Sequence, residues 1–125
     1  MEIKSKIYLT DSDGEKFMGI GVMWLLRELE EKGSLRSAAK NLGISYSKAY
    51  QMVKNLEEKL GMTVIDRKKG GSKHVGSSLT PFGKKFLLLY DRFQMEAKEV
   101  LLSPFKDFSD KVNELINDTV EQEKE

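Results

Sequence analysis

From Ser45 to Asn55 the chain sets out a run of hydrogen-bonding side chains: hydroxyls at Ser45 and Ser47, phenols at Tyr46 and Tyr50, ammonium groups at Lys48 and Lys54, and amides at Gln51 and Asn55. Between them, Ala49, Val53 or Met52, Leu56 and Leu60 recur at the three- and four-residue spacing of a helix with one apolar face. On such a helix the polar set points away from the core. Its reach and chemistry suit base-pair edges: Gln51 can pair an adenine edge in bidentate fashion, Lys48 can reach guanine or a phosphate, and the tyrosines can touch a thymine methyl or a phosphate. The expected base-contacting set is therefore Ser45, Tyr46, Ser47, Lys48, Tyr50 and Gln51. The same pattern fits an ordinary solvated helix, so the surroundings decide between the two.

Those surroundings are cationic. Residues 32–75 hold ten Lys or Arg against three acids, a net +7, although the whole chain nets only +1. Ser34, Arg36, Lys40, Lys54, Arg67, Lys68, Lys69 and Lys73 are placed to hold phosphates, each neutralised phosphate releasing counterions. Residues 107–125 run the other way, with two Lys against seven acids, a net −5, which fits a solvated, solubilising end. Little else in the chain offers chemistry. Cysteine is absent, which excludes thiol catalysis and Cys-ligated metals, and His74 is the one histidine, so a Ser-His-Asp triad has little to be built from. His74, within the basic stretch, could grip a phosphate or do nothing. Asp107, Asp110, Glu114 and Asp118 follow helical spacing but are read as lacking cationic or histidine partners to tune them. Gly70-Gly71 lacks the flanking spacing of a phosphate loop. Neither enzyme activity, metal nor cofactor is expected.

The elements that must position these groups follow from breaks in periodicity. Residues 3–9 alternate loosely and lead into Asp11-Ser12-Asp13-Gly14, a strand and turn with Glu15–Met18 returning as a hairpin. Val22, Leu25, Leu26 and Leu29 then mark a first helix that ends at Gly33, with Trp24 expected in the core or an interface. Ser34 caps a short second helix whose apolar face is Leu35, Ala38, Ala39 and Leu42. Gly43 breaks it, Ile44 fills the corner, and Ser45 caps the third helix, which stops at Gly61. Two helices joined by a short glycine-containing turn, over residues 34–59, are a helix-turn-helix layout with the second helix, 45–59, presented to a major groove. Residues 62–66 and 75–79 are β-prone and predict a two-stranded wing with a basic, flexible tip at 67–74.

Thr80-Pro81 predicts a long helix running to about Leu102, and Ser103-Pro104 repeats the start signal for a last amphipathic helix through Phe105, Phe108, Val112, Leu115 and Ile116. A helix of about 22 residues spans roughly 33 Å, more than a three-helix body needs. Its stripe of Phe82, Phe86, Leu89, Phe93 and Ala97, with Tyr90 beside it, is therefore expected to form a homodimer interface rather than interior packing. The fold class is thus mostly α with small β. A winged helix-turn-helix occupies 1–80, a helical dimerisation extension 81–120 and a frayed tail 121–125.

The stretch GSLRSAAKNLGISYSKAYQMVKNLEEKLGMTVIDR, followed by GG and by LTPFG, resembles the winged-helix DNA-binding domain of the molybdate-dependent transcriptional regulators (ModE type), which is related to the LysR-type domain. The resemblance covers about residues 3–102 and includes Phe17-Met18-Gly19-Ile20-Gly21 ahead of the first helix. It implies a homodimer that binds palindromic double-stranded operators, with the helix from Pro81 as the dimer element. Three departures stand out: the wing tip GGSKHVGSS has fewer glycines and more cationic character, Tyr50 stands where tryptophan is usual, and the length leaves no room for the oxyanion-binding domains. Molybdate sensing is accordingly not implied, and any small-molecule effector is unknown. With no apolar segment suited to a signal or a membrane span, a cytoplasmic regulator without membrane partners is expected. A docking platform for proteins, with DNA incidental, is the alternative.

Overall fold

The computed structural model describes residues 1–70 and 74–124. In chain order its elements are β1 (Leu9–Thr10), β2 (Lys16–Met18), α1 (Ile20–Lys32), α2 (Leu35–Leu42), α3 (Tyr46–Leu60), β3 (Ile65–Gly70), β4 (His74–Leu79), α4 (Pro81–Val100) and α5 (Leu102–Glu123). The chain divides into two compact units. One runs from Lys6 to Asp91; the other joins Met1–Ser5 with Arg92–Glu125.

Within Lys6–Asp91 the three helices after the hairpin bury one common core. Leu25, Leu26 and Leu29 of α1, Ala38 and Ala39 of α2, and Ala49, Val53 and Leu56 of α3 are essentially inaccessible to water. A leucine buried this fully contributes about 2 kcal/mol relative to an exposed one. The alanines of α2 let the neighbouring helices approach closely. Each helix is ended by glycine in the left-handed region, Gly33 (φ 77°), Gly43 (φ 72°) and Gly61 (φ 66°), where a side chain would be strained. α1 presents Met23 to the core, while Val22 packs at its edge. Trp24 stays 51% exposed, so it is not a core residue.

Both sheets are two-stranded and antiparallel. The N-terminal hairpin is shorter than the alternation predicts: β1 is only Leu9–Thr10, and residues 3–8 make no strand because β2 offers three residues to pair with. Its turn is held by Asp11, whose carboxylate accepts from the Asp13 and Glu15 amides and pairs with Lys59 of α3. The second sheet is longer than the β-prone residues predict. β3 and β4 stay in register from Ile65↔Leu79 to Gly70↔His74, so Arg67, Lys68, Lys69 and Gly70 are strand residues, not a flexible tip. Ladder hydrogen bonds carry the strand through residues of low β-propensity.

Backbone and side-chain contacts seat this sheet. Glu57 Oε2 accepts from the Val64 and Ile65 amides at 2.7 and 3.4 Å, and the Ser77 amide donates to Gly33 O at 2.8 Å. Thr80 Oγ1 donates to Thr63 O at 2.8 Å and accepts from the Gly83 amide at 2.9 Å, which caps α4. A Cβ at Gly83 would lie 2.5 Å from Val64 O, so only glycine allows α4 to start where it does.

On α4 the buried stripe within this unit is Gly83, Leu87 and Tyr90. It lies one residue along from the stripe expected at a dimer interface. Phe82 and Phe86 are half-buried and stack with centroids 6.2 Å apart, while Leu89 is 64% exposed. Tyr90, expected at a subunit interface, is instead 3% exposed and donates its hydroxyl to Ile7 O at 2.8 Å. Burial pushes its phenol pKa up.

In the second unit α4 ends at Val100 and α5 begins at Leu102, one residue before the expected cap. Leu101 precedes it in helical conformation without a side-chain cap. Ser103 and Pro104 lie in the first turn, where a missing amide hydrogen costs nothing because those donors have no partner within the helix. α5 continues through Glu123, so residues 121–123, expected to fray, are helical. None of its residues is buried. Asp107 pairs with Lys111 at 2.9 Å and Asp110 with Lys106 at 3.0 Å, so these two carboxylates do have cationic partners, contrary to the expectation from spacing. Both are exposed i,i+4 pairs of the ordinary helical kind.

Candidate nucleic-acid interface

The polar side of α3 begins at Ser45, whose hydroxyl accepts from the Lys48 amide at 3.1 Å, and α2 begins in the same way at Ser34, which accepts from Ser37 at 3.0 Å. The link between them is fixed by the Ile44 amide donating to Ala39 O at 3.0 Å. Ser45, Tyr46, Ser47, Lys48 and Gln51 are exposed on α3. Tyr50 is half-buried and packs against the core, which makes it the least open of the six residues expected at base edges.

The two tyrosines are organised by cations from three elements. Tyr46 and Tyr50, one helical turn apart, have ring centroids 6.4 Å apart. Arg36 of α2 lies over Tyr46, its guanidinium carbon 4.6 Å from the centroid. Arg67 of β3 lies over Tyr50 at 4.9 Å, with Lys54 5.9 Å from the same ring. Each cation–π contact at an exposed site is worth about 0.5–1 kcal/mol. Their larger effect is to hold the two guanidinium groups in position while leaving in-plane N–H donors for another acceptor. Ser34, Leu35, Arg36, Tyr46, Arg67 and Ser77 line a cleft of about 400 Å³ with two arginines and no carboxylate. Such a concavity suits an oxyanion.

Of the other residues expected at phosphates, Lys40 and Lys54 are exposed on α2 and α3. Lys68 and Lys69 stand on β3 opposite Gly76 and Val75. Lys73 lies outside the described residues. Asn55, read as a groove-facing residue, is turned aside: its amide donates to Lys16 O at 3.0 Å and ties the hairpin to α3. Glu57 was missed altogether as the residue that fixes the base of the wing to α3. A carboxylate in the last turn of a helix, where the dipole disfavours it, was the available signal. Among the described residues no group of three His, Cys, Asp or Glu could hold a metal ion, and no helix is long and apolar enough to cross a membrane.

Residues 23–84 match the family described as "Bacterial regulatory helix-turn-helix protein, lysR family". The transcriptional regulator ModE of Haemophilus influenzae is 33% identical over 67 residues, which cover 54% of this chain and 26% of that protein. The DNA-binding transcriptional dual regulator ModE of Escherichia coli is 31% identical over 80 residues, covering 62% and 30%. The chain thus spans less than a third of the length of these curated relatives. Among solved structures, the CbnR DNA-binding domain in complex with DNA superposes with a TM-score of 0.53 at 26% identity, covering 66% of this chain and 90% of that one. The BenM DNA-binding domain shares the fold, with a TM-score of 0.52 at 21% identity.

Proposed function

We propose, from the premise that residues 23–84 are a helix-turn-helix domain of the LysR type, that this chain is a transcription regulator that binds duplex DNA as a homodimer. The observation that carries the reading is the convergence on one face of Arg36, Arg67 and Lys54, drawn from α2, β3 and α3, around the polar first turns of α3. α3 enters the major groove, and Ser45, Tyr46, Ser47, Lys48 and Gln51 read base edges, with Tyr50 acting mainly through the cations it holds. Ser34, Arg36, Lys40, Lys54, Arg67, Lys68, Lys69 and Lys73 take phosphates, the wing lying on the backbone or in the adjacent minor groove. The relatives named as regulators, and the neighbour solved on DNA, support this assignment. Such a protein works in the cytoplasm.

Dimerisation rests on α4: in the Lys6–Asp91 unit Leu89 is exposed beside half-buried Phe82 and Phe86, and in the other unit Phe93 is exposed beside half-buried Ala97. A second copy would cover them. Two-fold symmetry then calls for a roughly palindromic operator, its half-sites about 10 bp apart or a multiple of that. Selection of genomic fragments by the purified protein, followed by titration of the recovered duplex over a salt series, tests the proposal. The expected result is a symmetric sequence and an affinity that falls steeply and linearly in log–log form with salt. No binding of any duplex at low salt, or a flat salt response, would overturn it in favour of a protein-docking platform.

A further inference from the structure

A second cavity, of about 440 Å³, adjoins α3 through Lys48, Met52 and Asn55. These residues lie about half a turn of helix around from Tyr46 and Tyr50. Its volume is within the range of about 300–1,000 Å³ typical of small-molecule sites. The floor is apolar, formed by Ile7, Phe17, Ile20, Val22 and Met52, while Lys6, Lys16 and Lys48 supply three cations and no lining residue is acidic. The walls are tied in place from both sides. Asn55 donates to Lys16 O at 3.0 Å, and Tyr90 donates to Ile7 O at 2.8 Å. Lys16 Nζ rests 4.5 Å above the centre of the Tyr8 ring.

A backbone phosphate would use the cations and leave the floor empty; a neutral apolar molecule would use the floor and leave the cations without a counter-charge. An apolar body bearing one carboxylate uses both. We infer that this cavity binds a small monocarboxylate with an apolar chain or ring, and that the bound ligand draws Lys48 away from DNA. The second half rests on the DNA-binding reading above; the first does not. Because coupling is reciprocal, ligand and duplex must weaken each other by the same factor.

Octanoate serves as the probe, with octanol and octylammonium as its neutral and cationic counterparts, titrated into isotopically labelled protein without DNA. Octanoate is expected to shift the amides of Ile7, Phe17, Ile20, Val22 and Met52, and to bind about tenfold or more tighter than either counterpart. The double variant Lys6→Met/Lys16→Met should lose that preference while keeping the apolar stems. A Cβ at Gly21, which lines the cavity, meets no atom within 4 Å. Gly21→Leu should therefore fill the space and exclude octanoate from a protein that still folds. Equal binding of octylammonium, or shifts scattered away from these residues, would overturn the site. In a second titration, saturating octanoate should lower affinity for the selected duplex several-fold. Unchanged duplex affinity with the cavity occupied would overturn the regulatory half alone. If no duplex binds at all, the DNA reading fails while the first titration still decides the cavity.

Discussion

Gly83 cannot carry a side chain without moving the helix that begins two residues before it. Its added Cβ would press on the Val64 carbonyl, backbone against backbone, so the strain has no flexible group to absorb it. Gly83→Ala is expected to cost about 1–3 kcal/mol. Denaturant titration should show a lower midpoint with an unchanged slope. Residues on the proposed DNA face divide by what they touch. Lys48→Ala and Gln51→Ala should relax base preference, each lost bidentate contact being worth about 1–3 kcal/mol of discrimination. Arg36→Ala and Arg67→Ala should instead weaken all duplexes alike and make the salt dependence shallower. Competition binding against single-base variants of the selected operator separates the two; identical behaviour of both pairs would refute the groove assignment. Tyr50→Leu should act like Arg67→Ala, because it removes the ring over which that guanidinium is held.

Among the elements, helix ends were the most legible part of the fold. Ser34, Ser45, Gly33, Gly43 and Gly61 each act locally, through a hydroxyl on the first turn or a left-handed residue after the last, and local chemistry is what spacing reveals. The helix-turn-helix, the core faces of α2 and α3 and the existence of a wing all followed from it. What escaped was set by contacts distant in sequence. β3 extends through Arg67–Gly70 because β4 pairs with it, the buried Tyr90 finds its hydroxyl acceptor in Ile7 O, and Asn55 turns aside because Lys16 offers a carbonyl. Glu57 belongs to the same class. Glu57→Ala should leave the Val64 amide without its acceptor, at a cost of about 1–3 kcal/mol, and speed hydrogen exchange at Val64 and Ile65 before the rest of the core. The hairpin answers to pH. The hydrogen bond from Lys59 holds the Asp11 carboxyl below its ordinary value, and Asp11 in turn holds the Lys59 ammonium above its own. A depressed carboxyl stabilises the fold fully above its unfolded value, near pH 4, and loses that contribution as pH falls through the lower folded value. Thermal melts of the parent chain and Asp11→Asn should therefore differ at neutral pH and converge in strong acid. A raised lysine predicts a second convergence above about pH 10.5.

For the whole molecule, the proposed dimer can be tested through its exposed apolar residues. Leu89→Asp with Phe93→Asp should turn a dimer into a monomer in sedimentation equilibrium without altering the core, since neither side chain is buried. Affinity for a two-half-site operator should fall by about 10²-fold or more, because the second half-site loses its tethered partner. A dimer that persists would move the interface elsewhere, for example to the unburied face of α5. The bond from Tyr90 to Ile7 bears on the order of events during synthesis. It joins residues 83 positions apart, so the loop it closes is among the longest in the chain and the slowest to form. Helices α1–α3 contain their own short-range contacts and can assemble while the chain is still emerging from the ribosome. The stretch around Ile7 is made well before Tyr90 and gains this bond only once Tyr90 has been made.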